Sequence, residues 1–169
     1  MPTEAANVAG PSFSISPLDE TTMDWVRSFM GAHWGSEIIV VHGTTFRPAE
    51  LPGYLATLTG EKIGLVTYHL EGEDCEIVTL DSLRPNMGVG SALILAVKQE
   101  AGRRGCRRLW LVTTNDNLHA LRFYQRRGFA LAALRRGAVE ASRRIKPEIP
   151  LVGEDGIPIR DEIELEMRL

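Results

Sequence analysis

The stretch Leu80-Asp81-Ser82-Leu83-Arg84-Pro85-Asn86-Met87-Gly88-Val89-Gly90 decides how the rest of the chain is read. An apolar strand ends near Leu80, a short loop carries two glycines, and an apolar helix starts at once over Ser91 to Ala101. Glycines at a strand-to-helix turn let the main chain come close to a ligand. The first N–H groups of the helix, unpaired within it, then point at that ligand together with the positive end of the helix dipole. A phosphate or pyrophosphate is the natural occupant of such a cradle. Two glycines in a loop are also the mark of an ordinary tight turn, so the reading needs a second segment.

Upstream, Tyr54 to Thr59, Lys62 to Leu70 and Asp74 to Leu80 read as an antiparallel meander with turns at Gly60 and Gly72. Downstream, Arg108 to Thr114 is a strand again. Strand, crossover helix and strand make a right-handed βαβ unit with parallel strands. A helix over 117–127 with Gly128 as its C-cap follows, then a strand from Phe129 to about Leu134 and a helix over 138–145. The segment Glu162 to Leu169 alternates Ile163, Leu165, Met167 and Leu169 with Glu162, Glu164, Glu166 and Arg168, the pattern of a half-buried strand. At the other end, residues 1–12 read as a flexible tail and Phe13 to Leu18 as a first strand. A helix capped by Asp19 or Thr21 runs to about Trp34, and Ile38 to Val41 is a short strand. The expected fold class is α+β (α/β): a mixed, mostly antiparallel sheet with one parallel, splayed βαβ pair, in a single domain over 13–169.

A chain of 169 residues, 44% hydrophobic, fills one core and is short for two. Its net charge of −3 is that of an ordinary soluble protein. Cys75 and Cys106 stand far apart with no ligand-like spacing to histidine, so they read as buried thiols and no metal site is expected. The N-terminus has neither a basic start nor an apolar run, and no window is long enough to span a bilayer. A cytoplasmic location without membrane contact is the expectation. Arginines crowd residues 103–146, where Asp116 and Glu140 are the only acids. Without aromatic interleaving, and with the chain acidic as a whole, nucleic acid is not expected as a partner. A phosphate-rich cofactor on this side would gain from the same field.

The second segment is Trp110 to Phe129, WLVTTNDNLHALRFYQRRGF. At about 100° per residue, Asn117, Ala120, Leu121 and Tyr124 share one side of its helix, and His119, Arg122, Arg126 and Arg127 share the solvated one. The small Ala120 leaves room for a ligand along the first side, although Tyr124 judged alone is an ordinary core aromatic. Taken with the glycine loop, this segment resembles the second motif of the GCN5-related N-acetyltransferases: a strand, Asn-x-x-Ala, Phe-Tyr and a terminal Gly-Phe. Glu76 to Leu95 resembles their first, with its Gly-x-Gly-Ser-x-Leu loop. The resemblance spans about fifty residues in matching order and spacing.

The resemblance implies acetyl-CoA as cofactor. Its pyrophosphate would sit on the N–H groups of Met87, Gly88, Val89, Gly90, Ser91 and Ala92. Its pantetheine arm would pair with the strand at Leu80, Asp81 and Ser82. Asn117 would bond the arm beside Ala120, and Tyr124 would approach the thioester sulfur. The family carries Gln or Arg three residues before the first glycine, where this chain has Pro85, and the neighbouring Arg84 is the available substitute.

An amine must lose a proton before it attacks a thioester, and alkylamines have a pKa near 10.4. Glu76, on the strand leading to the cofactor and sharing a face with Val78 and Leu80, is the candidate base. It reads equally well as a plain strand carboxylate. Tyr124 is the candidate acid for the leaving thiolate, and a main-chain N–H near Leu80 the donor for the developing oxyanion. The expected function is direct acetyl transfer to a primary amine of a small molecule or peptide. The alternative is a non-catalytic acyl-CoA-binding module of the same fold. A dinucleotide-binding oxidoreductase fails for want of the third glycine, since Leu93 stands there. His33, His42, His69 and His119 read as surface or satisfied histidines, with His33 and Trp34 near the acceptor side. The loop from Lys146 to Asp161 reads as a lid or acceptor wall whose Glu154 and Asp155 attract a cationic amine. A homodimer through the final strand completes the expectations.

Overall fold

The computed structural model describes residues 12–169, so all of the expected tail but Ser12 lies outside the described residues. The chain runs β1 (Ser14–Pro17), α1 (Met23–Trp34), β2 (Ile39–Val41), β3 (Thr44–Phe46), β4 (Gly53–Leu58), β5 (Glu61–Glu71), β6 (Asp74–Ser82), α2 (Val89–Arg103), β7 (Arg108–Thr114), α3 (Leu118–Gln125), β8 (Ala130–Arg135), α4 (Ala138–Ile145) and β9 (Glu162–Arg168). Seven strands share one sheet in the order β1-β4-β5-β6-β7-β9-β8, and β2 and β3 form a separate hairpin. In the large sheet only β6 and β7 run parallel, joined by α2 as the βαβ reading requires. Each face is covered because each helix is apolar on one side. α1 buries Val26, Phe29 and Met30 against Leu55 and Leu65. α2 buries Leu93 and Val97 on the other face, with Val66, Ile77 and Leu109.

Two irregularities position the site. The parallel pairing of β6 with β7 lasts for only three residue pairs, Asp74 with Arg108, Cys75 with Leu109 and Glu76 with Trp110. Past Glu76 the two strands part and leave an open wedge. The second irregularity is a bulge in β6: Tyr68 pairs with Ile77 and Thr67 with Thr79, so Val78 is the extra residue. Before it, Cys75 and Ile77 face α2. After it, Leu80 joins the α2-side core, whereas Val78 packs on the α1 side. The expectation that Glu76 shares a face with both Val78 and Leu80 therefore holds for Val78 alone, because the bulge reverses the alternation.

Past β2, His42 and Gly43, at φ +41° and +80°, turn the chain into β3. Positive φ at both central residues is the requirement of a tight hairpin turn. β9 is flanked by β7 and by β8, so it offers no free edge to a second copy in the manner expected of the final strand. Its polar face is also covered, with Glu162 and Glu164 buried beside Leu165. Glu164 bridges Arg108 and Arg135, and Arg108 also bonds Glu166 at 2.5 Å. Glu164 can be buried there because two guanidiniums neutralise it.

Candidate active site

The wedge presents main-chain groups. Leu83 N–H donates to Ile63 O at 2.9 Å, and antiparallel pairs bond at alternate residues. Asp81 therefore bonds towards β5, while the N–H and C=O groups of Leu80 and Ser82 face the wedge. Asp81 departs from its expected place on the cofactor strand: its carboxylate turns to the α1 side and accepts Trp34 Nε1–H at 3.2 Å on both oxygens. Burial pushes the Asp81 carboxyl up to about 6.

Beyond the strand, Gly88 is the N-cap of α2 at φ +75°, and no side chain caps that helix. Ala92 N–H is taken by Gly88 O at 3.0 Å, so Ala92 leaves the expected set of free amides. Val89, Gly90 and Ser91 keep N–H groups without main-chain partners among the described residues. Gly90 has a second duty, since a Cβ there would meet Phe123 Cζ at 2.8 Å. Phe123 is held in place from above by the Arg127 guanidinium, 3.5 Å from the ring centroid, and Arg127 Nε–H donates to Ser91 Oγ at 2.9 Å. α3 thus roofs the first turn of α2. His119, Arg122, Arg126 and Arg127, assigned by sequence to a merely solvated face, line a hollow with Asn86 and Ser91 beside the glycine loop. Arg84 spends its guanidinium on Glu61, with Nη2 2.7 Å from both carboxylate oxygens.

On the far side of the wedge, Asn117 is the N-cap of α3, and its Oδ1 accepts Ala120 N–H at 3.0 Å. The Tyr124 ring is buried edge-on between Phe123 and Phe129, at centroid distances of 5.2 and 5.3 Å. Burial first, and the negative charge of Asp81 second, push its phenol above the ordinary value. It is protonated at neutral pH.

On the α1 side the wedge opens into a cavity of about 280 Å³. Its walls are Ile39 to Val41, Glu76 to Val78, Val112 to Thr114, α4 with Val139 and Ser142, and the following loop with Ile149, Pro150 and Ile159. The loop therefore walls this cavity through Lys146, Glu148, Ile149, Pro150 and Ile159. Glu154 and Asp155 line a different, outer hollow and not this cavity. Glu76 is buried, and His42 Nε2–H donates to its Oε1 at 2.7 Å. That hydrogen bond, with the charge of Glu76 beside it, raises the imidazole pKa above its ordinary value. The His42 main-chain N–H in turn donates to both oxygens of Glu162 at 3.1 Å. His42 is thus no isolated histidine. His33, by contrast, donates to Phe29 O at 3.2 Å within its own helix.

Two residues at this end of the cavity escaped the sequence reading: His42, which bonds its wall residue Glu76, and Glu162. A signal existed for the first, since Gly43 stands between two β-branched runs, Ile39 to Val41 and Thr44 to Thr45. The second is brought in by tertiary pairing alone.

The sequence matches the Acetyltransferase (GNAT) family over residues 19–129. YdhI of Bacillus subtilis (strain 168), an uncharacterized protein, is 46% identical over 150 residues, which cover 88% of this chain and 94% of that protein. The fold is similar to a GNAT family acetyltransferase from Elizabethkingia anophelis with acetyl-CoA bound, at a TM-score of 0.68 and 20% identity over 95% of this chain and 100% of that one. It is also similar to a putative streptothricin acetyltransferase from Bacillus anthracis str. Ames in complex with acetyl coenzyme A, at 0.67 and 16% over 94% and 98%. On the extent of the family match and the identity to YdhI, the chain belongs to the GNAT acetyltransferase family.

Proposed function

We propose that the protein transfers the acetyl group of acetyl-CoA directly to a primary amine, with Glu76 as base and Tyr124 as acid. The observation that carries the reading is the opening of β6 from β7 immediately after Glu76, with a buried carboxylate on the cavity side and Tyr124 in the α2-side core. The residues fit the cofactor. Leu80 and Ser82 offer main-chain groups to an amide-bearing arm, Val89, Gly90 and Ser91 offer free amides to a pyrophosphate, and Arg122, Arg126 and Arg127 supply cationic charge beside them. When bound, acetyl-CoA supplies the acyl carbon as an electrophile.

Glu76, directly or through a water, takes the proton from the attacking amine. The amine nitrogen bonds to the acyl carbon as the C–S bond breaks, and Tyr124 gives its hydroxyl proton to the departing sulfur. Leu80 N–H is a donor for charge on the acyl oxygen. Asn117 has its Nδ2 free of the cap bond, and it holds the arm on the α3 side. A reducing, cytoplasmic compartment suits the free, buried thiols of Cys75 and Cys106. Calorimetric titration with coenzyme A, followed by acetyl transfer to a panel of primary amines, is the test. Heat on titration with transfer to at least one amine is expected. Heat with no transfer to any amine leaves a binding module, and no heat removes the proposal.

A further inference from the structure

The cavity on the α1 side carries opposite charges at its two ends. At one end lie Glu76 and Glu162. Glu76 has His42 as its partner, but Glu162 accepts only a main-chain N–H and forms no ion pair among the described residues. This sets it apart from its neighbours on β9, since Glu164 and Glu166 are both bonded by arginine. At the other end stands Lys146, the residue just past α4, only 7% exposed. Its Nζ donates to Trp34 O at 3.2 Å and Ile38 O at 3.1 Å, two neutral carbonyls. It has no carboxylate within ion-pair distance among the described residues, and the exposed Glu148 only faces it from the loop. A buried ammonium without a counter-ion is costly. The hydroxyl of Ser142, buried on α4, lines the same wall and makes no side-chain hydrogen bond among the described residues.

β2 gives the scale. Lys146 is fixed at Ile38 O and Glu162 at His42 N–H, and the strand between them spans about 10 Å at ~3.3 Å per residue. Between the ends the wall is apolar: Ile39, Val40, Val41, Val139 and Ile159. The volume, about 280 Å³, lies at the small end of ligand sites.

We infer that the acceptor is a small zwitterion, an amino acid with an apolar body, whose amine lies at Glu76 and Glu162 and whose carboxylate is read by Lys146 and Ser142. The inference rests on the acetyl-transfer reading for the fate of the amine, but the anion site stands on Lys146 alone. An amine without a carboxylate leaves the buried ammonium with no counter-charge but the exposed Glu148. A zwitterion neutralises both ends at once.

The test uses matched probes: leucine against 3-methylbutylamine, phenylalanine against 2-phenylethylamine, and 4-aminobutyrate against butylamine. In the intact protein the amino acid of at least one pair is expected to exceed its plain amine by about tenfold or more in kcat/KM, the size of one charge-assisted hydrogen bond. In Lys146→Gln, which keeps a donor for the Trp34 and Ile38 carbonyls, the ratio falls to about one. In Lys146→Arg, which keeps the charge, the preference survives. Calorimetry with 4-methylpentanoate, which has no amine, reads the anion site apart from turnover in the complex with coenzyme A. Plain amines acetylated as well as their acids, or a preference that persists in Lys146→Gln, overturn the inference and leave acetyl transfer standing. Lys146-dependent binding of 4-methylpentanoate with no probe acetylated upholds the anion site and removes acetyl transfer. Neither binding nor transfer removes both.

Discussion

His42 and Glu76, thirty-four residues apart in the chain, meet at 2.7 Å between Nε2 and Oε1. The contact ties the tip of the β2–β3 hairpin to the strand that borders the wedge. It also ties the proton chemistry of the site to a group whose charge changes near neutral pH.

The first prediction concerns that pair. The Glu76 hydrogen bond raises the imidazole pKa above 6.5, so its proton is held to higher pH than on a free imidazole and occupies the carboxylate. As pH rises through the raised value His42 becomes neutral, and Glu76 is released from an ion pair to act as base. kcat/KM is expected to rise with pH through a limb above 6.5, and His42→Gln removes that limb. The sign for stability is opposite: the contact contributes fully below pH 6.5 and is lost as pH passes the folded value. A profile of the same shape in both proteins would detach His42 from the reaction.

For Glu76→Gln, acetyl transfer at pH 7.5 is expected to fall about 10²–10⁴-fold, the usual worth of a positioned base. Coenzyme A affinity should change less than twofold, since Glu76 faces the α1-side cavity. Isothermal titration alongside stopped assays separates the two quantities.

Tyr124→Phe keeps the ring between Phe123 and Phe129 and deletes only the hydroxyl. A drop of about 10²-fold or more in kcat with unchanged cofactor binding is expected of a proton donor. Unaltered turnover would assign Tyr124 to packing.

Gly90→Ala tests the roof over α2. Inside a helix this change ordinarily stabilises by up to about 1 kcal/mol. Here the new methyl strikes Phe123 Cζ, and Arg127 packs over the same ring and limits its movement. A loss of about 1–3 kcal/mol is expected from overpacking. The double variant with Phe123→Leu should recover part of it in thermal unfolding.

Asp81 predicts a pH-dependent gain. Its folded pKa of about 6 lies above the unfolded 3.8, so the unfolded chain sheds this proton first as pH rises. The stability it contributes is complete below pH 3.8 and is lost as pH rises through 6. Asp81→Asn should therefore raise Tm at pH 8 by about 3–6 °C, corresponding to about 1–2 kcal/mol once partial water access is discounted, and leave it unchanged near pH 4.

Much of the frame was legible because it rests on local pattern. Alternation in Glu162 to Leu169 and the turn glycines of the meander report a strand wherever it lies, and Gly88 announces the start of α2. The polar end groups of the α1-side cavity were harder to read for the opposite reason. Glu162 meets His42 from 120 residues away, and Lys146 looks like any loop lysine until α4 lays it under α1. The hydrophobic alternation of Glu162 to Leu169 likewise hid that its polar side is buried, because the arginines that make this tolerable come from β7 and β8.

The extra residue at Val78 has a consequence for how such a strand can change over time. It splits β6 into two stretches of opposite parity, so Glu76 and Asp81, five positions apart, look out on the same side. Deleting one residue there would swing the downstream half over, turning Leu80 towards the α1 side and Asp81 into the oily interior. The kink therefore works as a frame lock: substitutions on either half are free to accumulate, but insertions or deletions between them are not.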